Sequence, residues 1–123
     1  MIIITTQCFA PQIGGIESLM TGMAEAMVKN GKEVLVLADG TQNESDKKAN
    51  YKIKRFSGWK PIRRINKALY LEKVCKKKTV ESIYADSWKS VEYVKKTNKK
   101  ILVLAHGTEI PKQYWGMMLD VLR

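Results

Sequence analysis

The sequence has few of the residues that build metal centres and cross-links. Cys8 and Cys75 lie far apart, and His106 is the one histidine. No metal-ligand spacing can be drawn from these three, and a disulfide scaffold does not fit a reduced cytosol either. Both an Asp-x-Asp pair and the G-x-G-x-x-G fingerprint of dinucleotide-binding folds are missing. No apolar run approaches the ~20 residues that span a bilayer. The apolar start follows Met1 directly, without the basic region that opens a signal peptide. These absences predict a cytoplasmic protein.

What is present is one small domain, 1–123, large enough for a real core. Its 45% apolar and 28% charged content is ordinary for a globular chain. The net charge of +10 is unevenly spread: residues 47 to 100 hold 18 Lys and Arg against four acids, and the remainder is net negative. A basic middle attracts an anionic partner, whether nucleic acid, a phosphorylated acceptor or an acidic membrane, unless it is only a solvated lysine-rich surface. Lysine outweighs arginine there, which favours diffuse attraction over bidentate recognition.

The first thirty residues organise the rest. Ile2-Ile3-Ile4-Thr5-Thr6 reads as a strand buried on both faces. A long turn, Gln7 to Gly14, leads to a helix opening at Gly15-Ile16-Glu17. Its apolar positions, Ile16, Leu19, Met20, Met23 and Met27, follow helical spacing. A helix start carries free N–H groups and a positive dipole end, and side-chain-free Gly14 and Gly15 let an anion such as a diphosphate approach closely. A plain turn is the alternative. Cys8 lies near this position, but no base accompanies it in the sequence.

Asn30-Gly31 stops the helix, and Glu33 to Ala38 makes a second buried strand ending at Asp39-Gly40. Thr41 to Asn50 reads as a surface loop without a helix. Tyr51 to Phe56 alternates apolar and basic residues, which predicts a strand at or near a sheet edge. A helix is expected from about Ile62 to Lys78, with Ile65, Ala68, Leu69, Leu71, Val74 and Cys75 inward. Glu81 to Ala85 is a fourth strand. Asp86 or Ser87 then caps a helix carrying Trp88, Val91 and Val94. Ile101 to Ala105 is a fifth strand, followed by His106-Gly107-Thr108-Glu109 and a final helix from Pro111. That last pattern runs to Arg123 without a terminator, so the chain is expected to be part of a larger protein.

Alternating strands and helices imply a parallel sheet with right-handed crossovers, an α/β fold. Ligands of such sheets bind beyond the carboxyl ends of the strands, where strand order reverses. Gly14-Gly15 and His106-Gly107 both fall at such ends.

Phe9-Ala10-Pro11-Gln12-Ile13-Gly14-Gly15-Ile16-Glu17, followed by Asn30-Gly31-Lys32-Glu33-Val34, resembles the amino-terminal half of GT-B retaining glycosyltransferases of family 4. Those chains read P-x-x-G-G-[IV]-E, a helix, then G-H-E-V. Glu81 to Trp88 is similar to the family's D-[VI]-[IV]-H-x-H-x-W segment, although Tyr84 and Asp86 stand where histidines are frequent. Ala105 to Glu109 is similar to its H-G-x-E loop. The likeness spans nearly the whole chain, in order.

The resemblance implies a Rossmann-like parallel sheet with flanking helices, the acceptor-side half of a GT-B fold. It implies transfer of a sugar from a nucleoside-diphosphate-sugar to a glycan or lipid-linked acceptor, as in cell-envelope polysaccharide or glycolipid synthesis. Gly14, Gly15 and Ile16 would hold the donor diphosphate, and His106 would be the catalytic group at the donor sugar. Gly107, Thr108, Glu109, Asp86 and Trp88 would line the cleft for donor sugar and acceptor. Preorganised N–H groups can stabilise the departing diphosphate, so no metal or other cofactor is expected. The family's carboxyl-terminal nucleotide-sugar domain is not in this sequence, so the 123 residues alone are expected not to turn over. The basic stretch suggests peripheral contact with the anionic inner face of a membrane.

Two rivals have sequence features of their own. Asp39, closing the second strand, stands about where a dinucleotide-binding oxidoreductase grasps a ribose. The lysines would suit a nucleic-acid-binding module, yet no reader motif or clustered aromatic platform accompanies them.

Overall fold

A computed structural model describes residues 1–7, 9, 15–77, 79–87, 90–94 and 99–103. The chain runs β1 (Ile2–Thr6), α1 (Gly15–Lys29), β2 (Val34–Asp39), α2 (Glu44–Lys48), β3 (Lys52–Phe56), α3 (Lys60–Lys77), β4 (Ser82–Ala85) and β5 (Lys100–Val103). The strands form one sheet in the order β3-β2-β1-β4-β5. Every pairing is parallel. The molecule is an α/β protein with a Rossmann-like sheet.

Position in the sheet explains strand composition. β1 is central, and all five of its residues are buried, as its unbroken β-branched run requires. β2, beside it, is buried from Val34 to Ala38. β3 is an edge strand, and its alternation of exposed lysines with half-buried residues matches one wet face.

Period-two alternation sends the two faces of β1 to different helices. Ile2 and Ile4 join Val34, Val36 and Ala38 under Met20 and Ala24 of α1. Ile3 joins Leu35, Leu37 and Ile83 under Leu71 of α3. Each fully buried aliphatic side chain contributes roughly 1.5–3 kcal/mol. Leu19, expected inward on α1, is instead exposed, because Met20 and Ala24 set the contact line.

Helix α1 ends as its sequence directs. Gly31 takes φ +82°, a conformation other residues rarely adopt. Its N–H donates to Val28 O at 3.0 Å, and Lys32 N–H donates to Met27 O at 3.0 Å. This pair of bonds satisfies carbonyls the last turn leaves open.

Three expectations need correction. The segment between β2 and β3 contains the short helix α2, capped by Asn43 Oδ1 accepting from Asp46 N–H at 3.2 Å. Its anchor is ionic rather than apolar: Arg55 Nε and Nη2 donate to the two oxygens of buried Asp46 at 2.9 and 2.8 Å. On α3, Ala68 and Leu71 are buried, but Ile65 and Leu69 face solvent, since the helix carries two apolar stripes and only one meets the sheet. After β4, residues 90–94 make short-range turns, with Ser90 N–H donating to Ser87 O and Val94 N–H to Val91 O, in place of the expected α-helix.

Candidate functional site at the carboxyl ends of the strands

From β1 the chain builds β2 and β3 to one side, then crosses to build β4 and β5 on the other. Strand order therefore reverses between β1 and β4, and the crevice beyond their carboxyl ends is the usual ligand position. The parallel β1–α1–β2 crossover brings the start of α1, at Gly15, to this same edge.

Asp86, directly after β4, ties the two halves together. Its Oδ2 accepts from Thr6 Oγ1 at 2.8 Å and from Gln7 N–H at 2.9 Å. Its Oδ1 accepts from Ser90 Oγ. The residue is 3% exposed, so this charge is placed inside and satisfied by three donors. The sequence suggested a helix cap or a cleft residue; the observed contacts make Asp86 a brace for the end of β1.

A second brace reaches the same backbone from the opposite face. Lys67 of α3, 1% exposed, donates through Nζ to Thr6 O at 3.1 Å and to Asp39 Oδ1 at 2.6 Å. Arg63 Nε lies 3.2 Å from Asp39 Oδ2. Both oxygens of Asp39 thus face cations of α3, which leaves this acid poorly placed to grasp a ribose. Thr6 is held by its carbonyl from one side and by its hydroxyl from the other. The chain leaves β1 toward α1 from a fixed point. Beside it, the buried Nε2 of Gln7 has no hydrogen-bond partner among the described residues.

Neither brace was anticipated in full. A lysine at 67 in register with Leu71 and Val74, at i+4 and i+7, was a readable signal of a buried cation. The link from Asp86 to Thr6 spans 80 residues and leaves no local pattern. Of the predicted site residues, Asp86 and the helix start at Gly15 and Ile16 fall among those described, without side-chain detail for Ile16. Gly14, Trp88, His106, Gly107, Thr108 and Glu109 lie outside the described residues.

No family model and no curated protein matches this sequence. Among the described residues, no group of three or more His, Cys, Asp or Glu is arranged to hold a metal ion. No described helix is long and apolar enough to cross a membrane.

An open cavity of about 460 Å³ lies between α1, α2 and β3. Phe9, Thr21, Glu25, Asp46 and Tyr51 are among the residues lining it. Burial pushes the Tyr51 phenol up from 10.0, with Glu25 and Asp46 adding to the rise and Arg55 opposing it. Among the described residues that line it there is no predicted site residue.

Proposed function

We propose that this chain is the acceptor-side, amino-terminal domain of a retaining GT-B glycosyltransferase of family 4. It would transfer a sugar from a nucleoside-diphosphate-sugar to a glycan or lipid-linked acceptor in cell-envelope polysaccharide or glycolipid synthesis. The observation that carries the reading is the start of α1 at Gly15, on the strand-end edge where sheet order reverses. The sequence around that start, Gly14-Gly15-Ile16-Glu17, is the segment with the family likeness.

In this reading the donor diphosphate lies against the N–H groups of Gly15 and Ile16, with Gly14 giving room for it. Charge grows on the diphosphate as the sugar–phosphate bond breaks. Fixed N–H donors and the helix dipole favour that charge without reorganising. The braces on Thr6 support such preorganisation, because they hold the strand end from which the turn departs. His106 serves as the catalytic group at the donor sugar, and Gly107, Thr108, Glu109 and Trp88 line the cleft. Asp86 acts behind that cleft through Thr6 and Gln7. The nucleoside and part of the sugar require a second domain, and the reaction needs no metal.

Equilibrium dialysis against labelled UDP-glucose, GDP-mannose and NAD tests the class. Weak retention of a nucleotide sugar ahead of NAD supports it. Preference for NAD overturns it in favour of a dinucleotide-binding domain.

A further inference from the structure

Helix α3 carries an apolar stripe that the sheet does not use. Trp59, just before the helix, and Ile62, Ile65 and Leu69 are 73, 52, 42 and 59% exposed. Spacings of three, three and four keep them along one side, opposite Ala68 and Leu71. Single exposed apolar residues are common on protein surfaces, but four in a row mark an interaction surface.

Among the described residues, the charged side chains exposed along this face of the helix are lysines. The same line continues toward the helix end as Lys73 and Lys76, both exposed. Lys54 flanks it from the edge strand, its Nζ 5.3 Å from the centre of the Tyr70 ring. The single acid of α3, Glu72, is buried. The two arginines of the helix are turned to protein carboxylates, Arg63 to Asp39 and Arg64 to Glu92. The cations left outward are therefore lysines, which suit a diffuse field of phosphates better than fixed bidentate partners.

We propose that this face of α3 docks on an anionic phospholipid bilayer. Trp59, Ile62, Ile65 and Leu69 enter the boundary between headgroups and acyl chains, and Lys54, Lys73 and Lys76 face the lipid phosphates. An apolar face with an aromatic residue and surrounding lysines is the pattern of helices lying in a membrane interface. Long lysine stems cover apolar surface while their ammonium groups stay at the headgroups. The inference does not depend on the sugar-transfer reading.

Co-sedimentation of the full chain with vesicles tests it, using phosphatidylcholine alone and an equal mixture with phosphatidylglycerol. Binding is expected to the mixed vesicles and not to the neutral ones. The Ile65→Gln/Leu69→Gln variant keeps the net charge, and its fold is checked by circular dichroism. It should bind about tenfold more weakly, from lost apolar burial. Lys73→Gln and Lys76→Gln should each cost about fivefold. Trp59 supplies a readout in the unaltered protein: brominated lipid should quench fluorescence that is absent from Trp59→Phe. Equal partitioning into both vesicle types, full binding by the glutamine variant, or no quenching attributable to Trp59 would overturn the proposal. So would a dimer in solution that the glutamine variant abolishes, because a second copy would then be the occupant.

Discussion

Lys67 and Asp39 form an ion pair of 2.6 Å beneath α3, and the same ammonium group donates to the last carbonyl of β1. One buried cation thereby connects three elements at the edge where strand order reverses. Removing one member of a buried pair costs far more than replacing both, because the survivor is left uncompensated. Lys67→Met should destabilise the fold by about 3 kcal/mol in urea denaturation. Lys67→Met/Asp39→Leu should recover part of that loss. A neutral Lys67→Met would mean that the pair does not hold the sheet edge.

Asp86 gives a second, graded case. Alanine there removes the acceptor for Thr6 Oγ1, Gln7 N–H and Ser90 Oγ at once. Unsatisfied buried donors make this worth about 3 kcal/mol, with Asp86→Asn costing less because one acceptor oxygen remains. Amide hydrogen exchange at Gln7 should quicken in both variants, more in the alanine. Unchanged exchange at Gln7 would show that the carboxylate does not hold the end of β1.

Tyr51 predicts the alkaline behaviour. Its phenol titrates above 10.0 in the folded chain, chiefly from burial, with Glu25 and Asp46 next. Above pH 10.0 the unfolded chain loses this proton before the folded one does. Stability from this group is therefore intact below that pH and falls as pH rises through the folded value. Tyr51→Phe should flatten the decline in the denaturation midpoint at high pH, and it should remove a phenolate absorbance step above pH 10.0. The same alkaline slope in the variant would contradict the assignment.

Much of the fold was legible because burial on two faces leaves a plain signature. The β-branched run Ile2-Ile3-Ile4 has room for no polar face, so a central parallel strand follows, and the alternation of β3 likewise marks an edge. Local pattern failed where a distant partner decides. Helix α2 has no apolar face to read, because Asp46 is held by Arg55 from the neighbouring strand. On α3, spacing alone does not tell which apolar stripe meets the sheet, and Ile65 and Leu69 belong to the other one. The site was legible only as a place. Strand ends and glycines pointed to one edge, while the braces on Thr6 come from a residue on α3 and one beyond β4.

The central claim is that backbone N–H groups at the start of α1 receive a nucleoside diphosphate. Its most direct test is an amide-resolved NMR titration of the labelled chain with UDP-glucose and GDP-mannose, alongside NAD. The account predicts weak, fast-exchange binding of a nucleotide sugar, with the largest shifts at Gly14 to Glu17. Shifts confined to the cavity beside Tyr51, or a response to NAD alone, would contradict it.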